Sequence, residues 1–270
     1  MKPFFLTYFF FCLFTAQAIE WYPLGARSSA MANASVASSN LWSIKHNQAG
    51  LAFLEHTSLG LAAENRFGLQ ELSLGGGVVA VPTPLGVFGM SLTHFGDELF
   101  SENQVGLAYA RTFGKSVSAG LQINYRNTHL GSDYGDNNTL LLEGGLQAKL
   151  NKDITVGVHI ANPNRTSLSE DYDERYPTTF RMGMQYKVSD KVLLLAEGEK
   201  TTEQGLLGKI GLEYQILKQL YLRTGISTNP TQNSFGIGIY WSQFKLDLST
   251  WRHGTLGFIP QLSITYELGK

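Results

Sequence analysis

From Ser58 to Glu267 the chain repeats one pattern: short segments of alternating apolar and polar residues, joined by connections that are tight and longer in turn. Neighbouring side chains on a strand point to opposite faces, so each such segment has one oily and one wet face. In Val117–Thr128, for example, Val117, Ala119, Leu121, Ile123 and Tyr125 share one face, and Ser118, Gly120, Gln122, Asn124 and Arg126 the other. The pattern predicts strands at 57–66, 70–81, 86–95, 103–112, 116–128, 139–150, 153–161, 178–188, 191–200, 206–215, 219–228, 234–241, 244–251 and 259–268. The second is the weakest, because Gly75-Gly76-Gly77 interrupts its alternation. Tight connections fall near Pro82–Gly86, Phe113–Lys115, Asn151-Lys152, Ser189-Asp190, Leu217-Lys218 and Ser242-Gln243. Such alternation of turns and loops is what a transmembrane antiparallel barrel of about fourteen strands produces, with turns in one compartment and loops in the other.

A soluble β-sandwich would show a similar period. Two features weigh against it. Charged residues make up only 16% of the chain, whereas ordinary soluble domains carry about 25%. Aromatic residues also mark strand ends: Tyr109, Tyr186, Tyr214, Trp241 and Tyr266 lie toward the tight turns or the C-terminus, and Phe67, Phe95, Tyr125 and Trp251 toward the loops. Two such belts suit the two interfaces of a bilayer.

Residues 1–18 read as a secretory signal. Lys2 gives a positive start, Phe4–Phe14 is apolar but too short to span a bilayer as a helix, and Ala16-Gln17-Ala18 fits a cleavage site. The single cysteine, Cys12, lies inside that signal, so residues 19–270 have no thiol for disulfides, nucleophilic chemistry or metal binding. Residues 19–56 lack the alternation and are rich in small side chains. They are expected to form a periplasmic-side plug segment ahead of the barrel at 57–270.

The wet faces of the strands carry both signs of charge. Glu64, Arg66, Arg126, Glu143, Arg181, Glu197, Lys209, Glu213 and Arg223 are the candidates for a charge network lining the lumen. Buried charges must be paired, so this mixed lining predicts a crossed or plugged interior. A selective pore would favour a ring of one sign.

No enzymatic chemistry is expected. The six histidines lack metal-ligand spacing, and hydrolase, P-loop and dinucleotide motifs are missing. A barrel hydrolase would need His94 or His159 beside a serine and an acid. No cofactor is expected. The acidic run 169–174 suits either a divalent cation bridging lipopolysaccharide or a solvated loop. With a formal net charge of −1, nucleic acid is not an expected partner.

Gly25-Ala26-Arg27-Ser28-Ser29-Ala30-Met31, followed by Asn47-Gln48-Ala49-Gly50-Leu51-Ala52, resembles the N-terminal region of FadL-superfamily outer-membrane proteins, and more closely the PorV/PorQ-type branch of Bacteroidota. Ala32 and Asn33 stand where that branch commonly has a glycine pair, and Gln48 where proline is common. Tyr109–Gly114, Gly145–Leu150, Ser189–Leu194 and Leu220–Thr228 extend the likeness through the body. The resemblance implies a 14-stranded barrel with an N-terminal plug, in the outer membrane of a Gram-negative bacterium. It marks Arg27, Ser28, Met31, Asn47, Ala49 and Gly50 as plug-motif residues. It implies an accessory or scaffold subunit of a type IX-like secretion or outer-membrane biogenesis complex, or alternatively a FadL-like passive transporter of a hydrophobic small molecule. The implied partners are outer-membrane lipids and lipopolysaccharide, other envelope proteins, and in the second case the small molecule.

Overall fold

The computed structural model describes residues 23–131, 135–167, 175–253 and 257–269. The proposed signal and the acidic run 169–174 lie outside them.

Fourteen antiparallel strands close into one barrel. They are β1 (Ser58–Asn65), β2 (Ser73–Thr83), β3 (Gly86–Gly96), β4 (Phe100–Phe113), β5 (Val117–Leu130), β6 (Asp136–Lys149), β7 (Ile154–Ala161), β8 (Thr179–Lys187), β9 (Val192–Thr201), β10 (Leu207–Leu217), β11 (Leu220–Ser227), β12 (Gln232–Trp241), β13 (Phe244–His253) and β14 (Gly257–Glu267). Each pairs with its sequence neighbours, and β1 closes on β14 from Ser58↔Glu267 to Glu64↔Gln261. Closure removes the unpaired edges that an open sheet would expose.

Strand number and order agree with the alternation. The boundaries move by a few residues. Gln70–Leu72 is a single 3₁₀ turn and not the start of β2. β4 begins at Phe100, because the polar Ser101-Glu102-Asn103 continues the ladder beyond the apolar stretch. Gly75-Gly76-Gly77 does not break β2, whose pairing with β1 and β3 is continuous across the glycines.

The outer face is apolar and the inner face largely polar, the reverse of a soluble sandwich. Leu61, Leu107, Leu121, Ile210 and Phe235 are all more than half exposed on the outside. An outer surface of this kind is stable in hydrocarbon, where a closed barrel is one of two architectures that satisfy every backbone group. Tyr109, Tyr186, Tyr214 and Trp241 point outward near the turns, and Tyr109 and Tyr266 stack on Phe88 and Phe244. The loop-end belt differs from expectation. Phe95 shares its parity with Ser91 and Val87, so it faces inward and is buried against Phe100. Trp251 lines an inner cavity, and Phe67 lies outside the strands at φ 62°. Tyr125, Phe180, Phe235 and Phe258 are aromatics exposed outward toward that end.

Residues 23–53 cross the barrel interior. A one-turn helix, α1 (Ala26–Ser29), lies against β12–β14, and two 3₁₀ turns at Leu41–Lys45 and Gln48–Phe53 lie against β1–β6. The asparagines before these turns, Asn40 and Asn47, cap them by accepting from the Trp42 and Ala49 amides. Between α1 and the first of these turns, Ala32 and Asn33 adopt left-handed backbone, at φ 54° and 56°. That conformation favours glycine, which accounts physically for the glycine pair common in the resembled family.

Candidate functional site: the plugged lumen

The plug backbone comes onto the wall at several inward glycines, among them Gly120, Gly157 and Gly225. A Cβ on Gly120 would lie 2.4 Å from the Gln48 carbonyl carbon, and one on Gly225 2.4 Å from the Ala32 nitrogen. Both are closer than any real Cβ contact, so these positions admit the plug only because they have no side chain.

The plug-motif residues are fastened to this interior. Arg27 forms a two-pronged pair with Glu213, Nε to Oε2 and Nη2 to Oε1 both at 2.8 Å. Ser28 is buried, and Met31 packs over Gly211 and Gly225. Asn47 donates to the Val36 carbonyl at 2.7 Å and to the wall carbonyls of Leu146 and Val158 at 3.2 Å. The Ala49 carbonyl accepts from Ser118 Oγ at 2.8 Å. Gly50 lies inside the second 3₁₀ turn, where a Cβ would sit 2.3 Å from the Ser38 carbonyl oxygen. All of these residues but Ser28, whose buried hydroxyl has no hydrogen-bond partner among the described residues, fix the plug to itself or to the wall.

The charged residues fall into several groups. Glu64 pairs with Arg66 at 2.7 Å near the loop end. Arg126 lies 3.7 Å from Glu102, donates to Gln104 and sits over the Tyr176 ring. Arg223 bridges Glu213 at 2.6 Å and Asp247 at 2.7 Å, and donates to Tyr240, which extends the Arg27 pair into the wall. The longest group begins at Glu143, which accepts from the plug's Gln48 and from Asn124, both at 2.8 Å, and faces His159 at 3.2 Å. It continues through Arg181, which donates to the plug carbonyl of His46, to Glu197, Lys209 and Glu199. Glu197 also accepts from the plug amide of Val36 at 2.8 Å.

Several contributors were outside the sequence-based set: Glu102, His159, Gln48, Gln122 and Asn124 are buried polar members, and Trp42 donates to Thr265 at 3.1 Å. For the strand residues among them inward parity is the only signal, and Gln48 and Trp42 lie in the plug, which has no period to read. A hydrolase arrangement does not form at either histidine. His159 is held between Glu143 and Arg181, and His94 is on the outer face, bonded to Asn103.

The interior is divided. Against β1–β4 it is mainly apolar, with Glu64 and Glu102 toward the loops: Leu24, Leu41, Trp42, Ile44 and Leu51 of the plug pack on Leu74, Val78, Val87 and Phe95. Against β5–β13 it is ion-paired. Leu24 lies directly behind Gly76, where a Cβ would be 2.5 Å from its Cδ1. Outside the same place is a hollow of about 340 Å³ lined by Gly75, Gly77, Leu92 and Val105.

The fold has solved counterparts. TodX, the toluene transporter of Pseudomonas putida, superimposes with a TM-score of 0.69 at 12% identity, over 92% of this chain and 99% of its own. The fold is that of the FadL-type channels. A Pseudomonas aeruginosa FadL homologue gives a TM-score of 0.68 at 13% identity over 90% and 98% of the two chains. The Ralstonia pickettii toluene transporter TbuX gives 0.66 at 12% identity over 92% and 98%. No family model matches the sequence, and no curated protein matches it in sequence.

Proposed function

We propose that this protein is an outer-membrane barrel of a Gram-negative bacterium that passes a small hydrophobic molecule between its plug and β1–β4. The observation that carries this reading is the division of the lumen. One half offers a mainly apolar interface whose charges, Glu64 on β1 and Glu102 on β4, stay at the loop ends in pairs with Arg66 and Arg126, and it ends at Leu24 behind the three glycines of β2. Glycine there leaves the wall thin and weakly braced. A Cβ on Gly75 would meet nothing within 4 Å. The β2 ladders are closed in this structure, so transit requires Leu24 and the glycine segment to move together. The FadL-type fold supports the reading, since two of its solved counterparts are toluene transporters.

Uptake of a radiolabelled monoaromatic hydrocarbon by cells with an intact lipopolysaccharide layer tests it. Cells carrying the barrel should take up the compound faster than cells without it, and Leu24→Asn should slow uptake while the barrel still inserts. Uptake at the rate of barrel-free cells would overturn the reading.

The ion-paired packing of β5–β13 favours a second reading, an accessory or scaffold subunit of a type IX-like secretion or biogenesis complex of Bacteroidota. Uptake no faster than without the barrel, together with a stoichiometric envelope partner recovered from native membranes, would support it.

A further inference from the structure

The lipid-facing wall is studded with Leu, Ile, Met and Phe, but β9 and β10 leave a bare strip. Gly198 and Gly208 are register partners across these strands, and both face outward. One step toward the turns Ala196 continues the strip on β9 alone, because its β10 partner is the outward Ile210. Met182 and Met184 of β8 bound it on one side, and Ile226 of β11 on the other. The result is a hollow of about 540 Å³ edged by Ile210, with a floor two strands wide at Gly198 and Gly208, roughly 10 Å at the usual strand spacing. Other outer-face glycines do not make this arrangement: Gly144 sits against the Leu121 side chain, and Gly75 and Gly77 belong to the wall behind Leu24.

A cation stands at the rim. Lys200 faces outward two residues beyond Gly198, on the loop side, and its ammonium donates to the Gln204 carbonyl at 2.7 Å. It is the only outward-facing lysine among the described strand residues. An apolar hollow inside the hydrocarbon with one ammonium at its loop-side mouth matches a lipid whose chain lies in the bilayer and whose phosphate lies at the interface.

We propose that this hollow holds one acyl chain of a phosphorylated glycolipid of the loop-side leaflet, of the lipid A class, with Lys200 meeting its phosphate. The site is on the opposite side of the barrel from the apolar half of the lumen, and it stands or falls independently of the transport reading.

The test uses the full barrel in nanodiscs of phosphatidylcholine doped with bisphosphorylated lipid A. Lipid A retained per barrel after detergent extraction is measured by mass spectrometry, and heat-modifiable migration on gels confirms folding of each variant. Filling the hollow with Gly198→Leu and Gly208→Leu should reduce retention about tenfold, the equivalent of about 1.4 kcal/mol. Lys200→Gln should abolish the preference for bisphosphorylated over dephosphorylated lipid A while chain retention persists. Gly144→Leu, elsewhere on the outer face, should change neither. Equal retention by the filled variant would mean annular lipid only and would overturn the proposal. So would a preference indifferent to Lys200, or a second barrel copy cross-linking through Met182 in place of lipid.

Discussion

Glu213 is shared between plug and wall, and removing it should cost more than removing its plug partner. Its carboxylate takes both prongs of Arg27 and the Nε of Arg223, while Arg223 also holds Asp247. The Arg27 and Glu213 side chains are only 15% and 11% exposed, so solvent screens the pair weakly. Arg27→Met leaves Glu213 paired with Arg223, and its cost is that of charge-assisted hydrogen bonds, about 1.5–3 kcal/mol. Glu213→Gln leaves two guanidiniums sharing the Asp247 carboxylate, an uncompensated buried charge worth about 3–5 kcal/mol. The double variant removes one excess cation, so its cost should fall below the sum of the singles by about 1–2 kcal/mol. Urea unfolding in lipid vesicles measures all three, with hydrogen exchange of the plug amides reporting whether the plug loosens first. If Glu213→Gln costs no more than Arg27→Met, or if the two effects add, the shared-carboxylate account is wrong.

Other perturbations probe the plug separately. Lys45 lies buried in it, and burial lowers its pKa to about 8, with Glu143 opposing the shift and Arg126 adding to it. The folded chain therefore gives up this proton before the unfolded chain does. Stability should rise between pH about 8 and about 10.5, by up to about 3 kcal/mol, and unfolding midpoints of Lys45→Met should lack that rise. Ala32→Gly relieves a left-handed alanine and should stabilise by about 0.5–1 kcal/mol in the same assay, whereas Asn33→Gly should do little because asparagine tolerates that conformation. Gly225→Val places its Cβ on plug backbone that cannot yield and should cost about 3 kcal/mol or expose the plug to limited proteolysis, while Gly75→Ala should stay within about 0.5 kcal/mol of wild type.

The strands were legible because a barrel wall separates two solvents, and side chains of period 2 record the difference. The same reasoning explains where legibility ended. In β2 the inward residues Leu74, Gly76, Val78 and Ala80 are as apolar as the outward ones, so alternation fades where the strand faces the apolar half of the lumen. Phe95 and Trp251 stand near strand ends but on inward parity, and position along a strand does not reveal that without counting phase from its neighbours. Charged lumen residues could be picked by type and parity. Their partners could not, because Arg27 meets Glu213 across 186 positions of chain and the plug between has no period to follow. Glycines on inward parity, such as Gly120, Gly211 and Gly225, marked the floor on which the plug lies, a signal readable only once the strands were phased.

The division of the lumen is tested most directly by photolabelling. A small aromatic carrying a diazirine, added to membranes containing the full barrel, should after irradiation mark Leu24, Trp42, Leu74 and Val78, the apolar interface between plug and β1–β4, and Leu24→Asn should reduce that labelling. Labels confined to outward residues such as Leu59 and Leu61, or placed beside Glu143 and Arg223, would contradict the proposed route.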